Sequence, residues 1–242
     1  MKTIAIINNK GGTGKTTVTI NLSAYLSMHK HQTLIIDMDW QRSAGLSLGF
    51  PRDPDGVTVA EVLYNKATIK DAIRETSINN LNIILASKDL ENYEEKQDDN
   101  MKLKKSIKQL GDKYEYILVD CNPGLNLLTK SALLSADSLI IPITPDRLGL
   151  EGLALLTKEV IDPDSSDYKI LLNQVDNRTI NTQEIIEFVR KEYKGHVFNT
   201  EISRTVRITE ATNWNKSIFD HDFNSRGSQD FQRLGKEFLT WL

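Results

Sequence analysis

The sequence predicts an α/β fold, a doubly wound and mostly parallel β-sheet with helices on both faces. Short runs rich in β-branched residues alternate with longer amphipathic stretches, a pattern typical of strands connected by helices. The runs at 117–119, 139–141 and 170–172 are apolar at every position, as expected of strands buried on both faces. The 242 residues are 39% hydrophobic and contain no linker rich in Pro and Gly, so one domain spanning 1–242 is expected.

The individual elements follow from the same alternation, taken in chain order. Strands are predicted at 3–7, 33–36, 82–86, 116–119, 138–143, 169–174 and 197–202. Helices are predicted at 15–28, 59–65, 69–75, 103–110, 127–135, 150–160, 182–193 and 228–241. The stretch 40–56 is rich in Gly, Pro and Asp and is predicted to be a loop, whereas the charged stretch 88–105 is predicted to be a solvated helical face.

Composition excludes several classes of protein. A net charge of −3 excludes a uniformly basic nucleic-acid coat, so any DNA contact requires a local patch. The one cysteine, Cys121, cannot form an intramolecular disulfide and suits a reducing compartment. No run approaches the roughly 18 apolar residues of a membrane span, and no apolar leader precedes the first strand. A cytoplasmic protein without a membrane partner is therefore expected.

A glycine-rich turn between the first strand and the first helix predicts a triphosphate site. Glycine tolerates positive φ, so consecutive N–H groups can turn toward an anion, and the helix N-terminus adds partial positive charge. Lys15 is placed to reach the β- and γ-phosphates, and the Thr16 hydroxyl can coordinate Mg²⁺. The residues predicted to hold the phosphates of ATP are Lys10, Gly11, Gly12, Thr13, Gly14, Lys15, Thr16 and Thr17.

Carboxylates follow two of the other predicted strands. Asp37 and Asp39 are spaced by two, so along a strand they can face the same side, toward the phosphates. A carboxylate in that position can orient or deprotonate the attacking water, or hold the hydration shell of Mg²⁺. Asp120 closes an apolar strand, and it is predicted to bind Mg²⁺ through water.

The spelling Lys-Gly-Gly-x-Gly-Lys-Thr-Thr at 10–17 resembles the deviant Walker A box of the ParA/MinD ATPases. Asn9 stands where the standard loop has its first glycine, and Lys10 is a second lysine. Segments 37–41, 120–136 and 202–211 also resemble boxes of this family, although Trp40, Asn122 and Ser203 replace its prolines.

That resemblance covers almost the whole chain and implies a P-loop NTPase of the deviant Walker A type. It implies that Lys10 crosses a dimer interface to the partner's nucleotide and, with Lys15, takes part in catalysis. It further implies that Asp39 positions the hydrolytic water and that Asp37 binds the water molecules around Mg²⁺.

Two further sets of residues are assigned by resemblance. Asn173, which opens Asn-Gln-Val-Asp, resembles the base-recognition tetrad of P-loop proteins and is the expected adenine contact. Arg178 and Arg207 match arginines that ParA-type proteins use on non-specific DNA. Between 168 and 216 the chain has eight Lys or Arg against six Asp or Glu, an excess too small to establish DNA binding by itself. A dimer would double this patch, and phosphate contacts act as a sum.

The function implied by the resemblance is that of a ParA-type partition ATPase. ATP would drive formation of a homodimer that binds non-specific DNA, and a ParB-type or other small activator protein would stimulate hydrolysis. Such a protein would be cytoplasmic and associated with the nucleoid. Because no helix-turn-helix precedes the first strand, the short, Soj-like type is expected, which does not itself contact an operator.

Three alternatives remain open. A MinD-like membrane-cycling ATPase needs a basic amphipathic tail, but the apolar stripe of the last predicted helix is flanked by Arg233 and Lys236 against Asp230 and Glu237, which favours core packing. A ParA-like positioner of a non-DNA cargo has the same sequence signature. A metabolic enzyme on this scaffold would need a small-molecule pocket that no motif indicates, and one cysteine excludes the iron protein of nitrogenase.

Overall fold

The computed structural model describes residues 1–95, 101–161, 167–176, 178 and 180–242. Strands are β1 Lys2–Ile6, β2 Thr33–Asp37, β3 Ile73–Glu75, β4 Leu81–Ile84, β5 Tyr116–Asp120, β6 Ser138–Ile143 and β7 Tyr168–Leu172. Helices are α1 Lys15–Met28, α2 Ser43–Ser47, α3 Val59–Leu63, α4 Lys102–Lys108, α5 Leu127–Ser135, α6 Arg147–Glu159, α7 Ile180–Glu192, α8 Val206–Asn213, α9 Ile218–His221 and α10 Arg226–Trp241. Short 3-10 helices lie at Ile69–Ala72, Lys88–Glu95 and Gly111–Lys113.

The strands form one seven-stranded sheet in the order β3-β4-β2-β5-β1-β6-β7. All neighbouring pairs are parallel except β3 and β4, which are antiparallel. The carboxyl ends of the parallel strands therefore share one edge, where Asp120 is in register with both Ile6 and Asp37. This edge brings together the segments for which the sequence predicts a site.

Helices cover both faces of the sheet, which confirms the predicted fold class. Alternate residues of β1 enter different cores: Ile4 and Ile6 pack with α1 and α10, and Ala5 packs in the larger core on the other face. Both faces of β1 are buried because its residues 4–6 have no exposed surface. The apolar stripe of α10 also lies inside, since Phe231, Leu234 and Phe238 are fully buried.

Two predicted elements are wrong. Residues 69–75 do not form one helix: a 3-10 turn ends at Ala72, and the chain continues as the edge strand β3. The helix start signal is real, because Thr68 and Asp71 form a capping box, but Ile73 is extended with ψ 131 and the turn stops. Residues 197–202 form no strand; Val197 makes only an isolated bridge to Ile170.

The two irregular stretches also differ from their predictions. The loop at 40–56 contains the short helix α2. In the stretch 88–105, residues 96–100 lie outside the described part of the chain. The rest is not simply a solvated face, because Leu90, Tyr93 and Leu103 are buried in the larger core.

Candidate functional site

The glycine-rich loop leaves β1 and enters α1 at Lys15. Gly12 and Gly14 have φ values of 77° and 87°, which L side chains rarely adopt. A Cβ on Gly14 would lie 2.3 Å from Nδ2 of Asn173, so this position requires glycine for space as well. Among the described residues, none accepts a hydrogen bond from the backbone N–H groups of 11–14. Such a row of free donors at a helix N-terminus fits a phosphate.

The carbonyl groups of the same loop accept hydrogen bonds from two side chains that follow β7. Nδ2 of Asn173 donates to the Thr13 carbonyl at 2.7 Å, and Nε2 of Gln174 donates to the Gly12 carbonyl at 2.7 Å. Asn173 was expected at the base, and Gln174 was not predicted. Both side-chain amides stabilise the loop through its carbonyl groups. The N–H groups of the loop therefore face away from these amides.

Lys15 is the buried cation of the site. Its side chain is 7% exposed, and Nζ donates to the carbonyls of Asn8 and Lys10, each at 3.2 Å. Burial lowers the pKa of Lys15, and the nearby Asp120 carboxylate opposes this effect. The ammonium group is thus held against the loop whose bound phosphates it is predicted to contact.

Asp120 lies directly against α1. Oγ1 of Thr16 donates to Oδ2 of Asp120 at 2.7 Å, and Oγ1 of Thr19 donates to Oδ1 at 3.1 Å. Burial raises the pKa of Asp120 to about 7, although the Thr16 hydrogen bond opposes the rise. Thr19 was not predicted, but it lies three residues after Thr16 on the same helical face, a spacing that would have indicated it.

Asp37 and Asp39 occupy different positions in the turn after β2. Asp37 is fully buried; Oδ1 accepts from the Asp39 N–H at 3.0 Å and Oδ2 from the Gly45 N–H at 3.2 Å. Burial first, and then the Asp120 charge, raise the pKa of Asp37 well above its usual range. Because β2 ends at Asp37, the predicted alternation along a strand does not extend to Asp39.

Asp39 nevertheless lies next to the site, in the turn that follows β2. It is 7% exposed, and its Oδ1 accepts from the Gln41 N–H at 2.9 Å. Burial raises the pKa of Asp39, while the Lys15 charge lowers it, which places this carboxylate within the field of the loop lysine.

The charge balance of the site fits a divalent cation bound together with phosphate. The site combines three buried carboxylates, Asp37, Asp39 and Asp120, with the buried ammonium of Lys15. In the described part of the chain, no group of three or more His, Cys, Asp or Glu side chains is arranged to hold a metal alone. Mg²⁺ usually keeps several waters and binds one or two carboxylates plus substrate phosphates, so Thr16 and Asp120 suit it.

Lys10 forms an ion pair with a residue outside the loop. Nζ of Lys10 lies 3.3 Å from Oδ1 of Asp146, and this oxygen also accepts from the Gly149 N–H at 2.7 Å as the N-cap of α6. The ion pair is partly exposed, with the two side chains at 31% and 51%. Asp146 was not predicted, because only the folded sheet brings β6 beside β1.

A cavity of about 350 Å³ continues from the loop toward α8. Its walls include Asn173 and Gln174 on one side and Ser203, Arg204 and Thr205 on the other. The Ser203 N–H donates to Oδ2 of the buried Asp230 at 2.8 Å, so α10 fixes this wall. The sequence predicted a base contact at Asn173, which lines this cavity.

The two predicted DNA contacts are exposed and already paired with carboxylates. Arg178 donates from Nε to Oδ1 of Asp176 at 2.7 Å. Arg207 lies 2.9 Å from Glu210 and 3.5 Å from Asp222. The structure therefore brings the phosphate-loop residues and the three carboxylates together, and it places these arginines in separate ion pairs.

None of the described helices combines the length and the apolar character needed to cross a membrane.

Comparison with known proteins identifies the family. The family model AAA_31, described as an AAA domain, matches residues 1–166. The chain is 37% identical to the chromosome partitioning protein ParA of Myxococcus xanthus, over 98% of this chain and 87% of that protein. It is 35% identical to the sporulation initiation inhibitor protein Soj of Bacillus subtilis, over 98% and 97% of the two chains.

Solved structures agree with this assignment. A Borrelia burgdorferi B31 protein assigned to plasmid partition, solved with bound AMPPNP, is 26% identical with a TM-score of 0.86, over 100% of this chain and 99% of that one. The cell division ATPase MinD of Pyrococcus furiosus is 28% identical with a TM-score of 0.80, over 100% and 99%. Fold, site geometry and these similarities agree, and the chain belongs to the ParA/Soj family of ATPases.

Proposed function

We propose that this chain is a single-domain partition ATPase whose ATP-bound homodimer binds DNA without sequence preference. The observation that carries the proposal is the phosphate loop itself. Free N–H groups at 11–14, the buried ammonium of Lys15 and the carboxylate of Asp120 meet at one edge of the sheet. This arrangement suits a nucleoside triphosphate with Mg²⁺. A relative named as a chromosome partitioning protein is similar in sequence, and a solved protein assigned to plasmid partition shares the fold.

Each residue of the site has a proposed role that follows from its position. The N–H groups of the loop and Lys15 bind the phosphates, and Asn173 borders the base. Thr16 and Asp120 hold Mg²⁺, and Asp37 binds the waters around it. When bound, Mg²⁺ neutralises charge that develops on the phosphates. Asp39 orients the attacking water, for which its raised pKa and near-complete burial suit it.

Lys10 supports the proposed dimer. Its only side-chain partner in the described part of the chain is Asp146, in a partly exposed ion pair. Exposed pairs contribute about 0–1 kcal/mol, so little is lost when Lys10 leaves Asp146 for a partner's nucleotide. Arg178 and Arg207 would face DNA from both subunits, and a ParB-type or other small activator would stimulate hydrolysis in a cytoplasmic, nucleoid-associated cycle.

The membrane-cycling alternative gains no support from α10, because the apolar residues of its stripe are used in the core. A ParA-like positioner of a non-DNA cargo would have the same ATPase cycle. It differs in the partner protein that selects the cargo.

The decisive experiment measures retention on random-sequence duplex DNA with ATP, ADP or no nucleotide, beside light scattering for the dimer. We expect dimer formation and DNA retention with ATP only. Lys15→Ala should abolish ATP binding and both effects, because the loop loses its buried cation. Lys70→Ala, at an exposed position beside the edge strand β3, is the matched control. A chain that ignores ATP, or stays monomeric when saturated with it, would contradict the proposal.

Asp39→Asn separates hydrolysis from binding. Asparagine keeps an acceptor for the Gln41 N–H but cannot take a proton from water, so we expect ATP binding to persist and phosphate release to fall by about 10²–10⁴-fold. The dimer should then outlast that of the wild type in light scattering. Phosphate release at the wild-type rate would remove Asp39 from the proposed role.

A further inference from the structure

Arg42 has a strained backbone and lies three residues after Asp39. Its φ is 64°, in the left-handed region that residues with a side chain rarely adopt. Its side chain is only 12% exposed, and the buried Nε donates to no described residue. Both features raise the energy of the folded state, and such features persist only where the surrounding structure holds them in place. Other contacts must therefore hold this arginine.

Two backbone hydrogen bonds connect Arg42 to the turn after β2 and to α2. The Arg42 N–H donates to the Asp39 carbonyl at 2.7 Å, and the Arg42 carbonyl accepts from the Leu46 N–H at 3.0 Å. The Asp39 carboxylate belongs to the same turn, because it accepts from the Gln41 N–H. The backbone conformation of Arg42 therefore determines how the Asp39 turn is joined to α2.

The guanidinium group anchors this conformation. Nη1 of Arg42 donates to Oδ1 of Asp53 at 2.6 Å, a charge-assisted contact with the loop between α2 and α3. In the part of the chain that the structure describes, this is the only side-chain hydrogen bond that Arg42 makes. Loss of the contact would leave the left-handed conformation at position 42 without its anchor.

We propose that Arg42 is a positioning residue for ATP hydrolysis, whose anchored left-handed backbone holds the turn that presents the Asp39 carboxylate. This inference rests on the proposed function, because it needs Asp39 to orient the attacking water. A displacement of about 1 Å at a reacting group can cost about 100-fold in rate, so a turn that shifts should slow hydrolysis. ATP affinity should persist, because Arg42 makes no described hydrogen bond or ion pair with residues 10–17.

The test compares the rate of phosphate release at saturating ATP with the Kd for ATP. Arg42→Ala removes the anchor and leaves a residue that disfavours positive φ, so the rate should fall by about 10-fold or more at nearly unchanged Kd. Arg42→Gly also removes the anchor, but glycine adopts the left-handed conformation freely, so most of the lost rate should return. Asp53→Asn should slow release by itself and have no further effect when combined with Arg42→Gly.

Matched controls come from the same loop. Arg52 and Asp55 are exposed, and neither side chain makes an ion pair or hydrogen bond with a described residue. Arg52→Ala and Asp55→Asn each remove one charge and should release phosphate at the wild-type rate. Urea unfolding of every variant shows whether a slow rate reflects loss of folded protein. If Arg42→Ala does not fold, Asp53→Asn decides, because the Asp53 side chain is exposed.

The outcomes distinguish a failure of this inference from a failure of the proposed function. If Asp39→Asn releases phosphate at the wild-type rate, the proposed role of Asp39 fails. If Asp39→Asn is slow and Arg42→Ala is not, only the present inference fails. A raised Kd for ATP in Arg42→Ala at an unchanged rate would assign the guanidinium group to nucleotide binding instead. Equally slow release in Arg42→Gly and Arg42→Ala would overturn the role of the left-handed backbone.

Discussion

Asp120 shows how burial sets the chemistry of single residues in this site. It has no exposed surface, receives hydrogen bonds from two threonine hydroxyls, and shares its surroundings with Asp37 and Asp39. Burial of a carboxylate without a bound cation disfavours its charge, which is why its pKa rises from 3.8 to about 7. A cation bound beside Asp120 would lower the electrostatic cost of its charged form.

This cost predicts an unusual pH dependence for the nucleotide-free chain without Mg²⁺. Between about pH 4 and pH 7 the folded state keeps the Asp120 proton, which the unfolded state releases. The folded state then binds more protons, so this group makes the free energy of unfolding decrease as pH rises through that window. Asp120→Asn should flatten the decrease, as measured by urea unfolding from pH 5 to about pH 8.

The exposed Asp112 provides the control. Asp112→Asn should leave the wild-type pH profile in place. Parallel profiles for Asp120→Asn and the wild type would contradict the assigned pKa shift.

Among single residues, the sequence predicts those site residues that lie close together along the chain. Lys15, Thr16 and the loop glycines follow from a continuous motif, and Asp120 follows from its place at the end of a strand. Asp146 and Gln174 were missed, because their contacts with Lys10 and Gly12 depend on the order of β1, β6 and β7 in the sheet. No local pattern carries that information.

At the scale of elements, α1 and α10 pack closely on one face of the sheet. Gly235 of α10 is buried against Tyr25 of α1, which is 2% exposed. A Cβ at position 235 would lie 2.1 Å from Cδ1 of Tyr25. The helix that begins at the phosphate loop is thus held in place by a contact that only glycine allows.

Gly235→Ala should consequently destabilise the fold. In an open helix this change stabilises by about 0.5–1 kcal/mol, but overpacking costs about 1–3 kcal/mol, so the clash decides the sign. A chain of this length should lose about 2–4 °C in Tm for each kcal/mol lost. Lys236→Ala, exposed on the same helix, should leave Tm nearly unchanged in the same calorimetric scan. A raised Tm for Gly235→Ala would show that α10 can move away from Tyr25.

Elements with strong local signals were predicted well, and weak ones were not. The helix beginning at Lys15 and the central strands match the structure closely, because long amphipathic and wholly apolar runs leave few alternatives. The segment 69–75 was misassigned because the Thr68 capping box starts a turn that edge pairing with β4 then ends. Tertiary pairing overrode a genuine helix signal.

At the scale of the whole molecule, β1 lies between β5 and β6 and contributes to the cores on both faces. All seven described strands belong to one sheet, so the two cores lie on the two faces of the same sheet. A sheet of this kind couples the two faces, so partial unfolding of one exposes apolar surface on the other. One domain spanning 1–242, expected from the absence of a linker, stays a prediction that unfolding experiments can test.

We expect a single cooperative unfolding transition, with coincident midpoints by near- and far-ultraviolet circular dichroism. ATP with Mg²⁺ at about a hundredfold excess over Kd should add about 2.7 kcal/mol to the free energy of unfolding. Lys15→Ala should lose this increment because it removes ligand binding. Two separate transitions in the wild type would divide the chain into more than one domain.

The amides of Asn173 and Gln174 have a consequence for how the loop binds its ligand. They hold the loop carbonyls before any nucleotide arrives, so the segment loses little conformational entropy on binding. A residue that never touches the γ-phosphate can in this way set how tightly the triphosphate is held. Replacing either residue with one that has a shorter side chain would leave the loop less ordered. Each binding event would then include the entropy cost of ordering the loop.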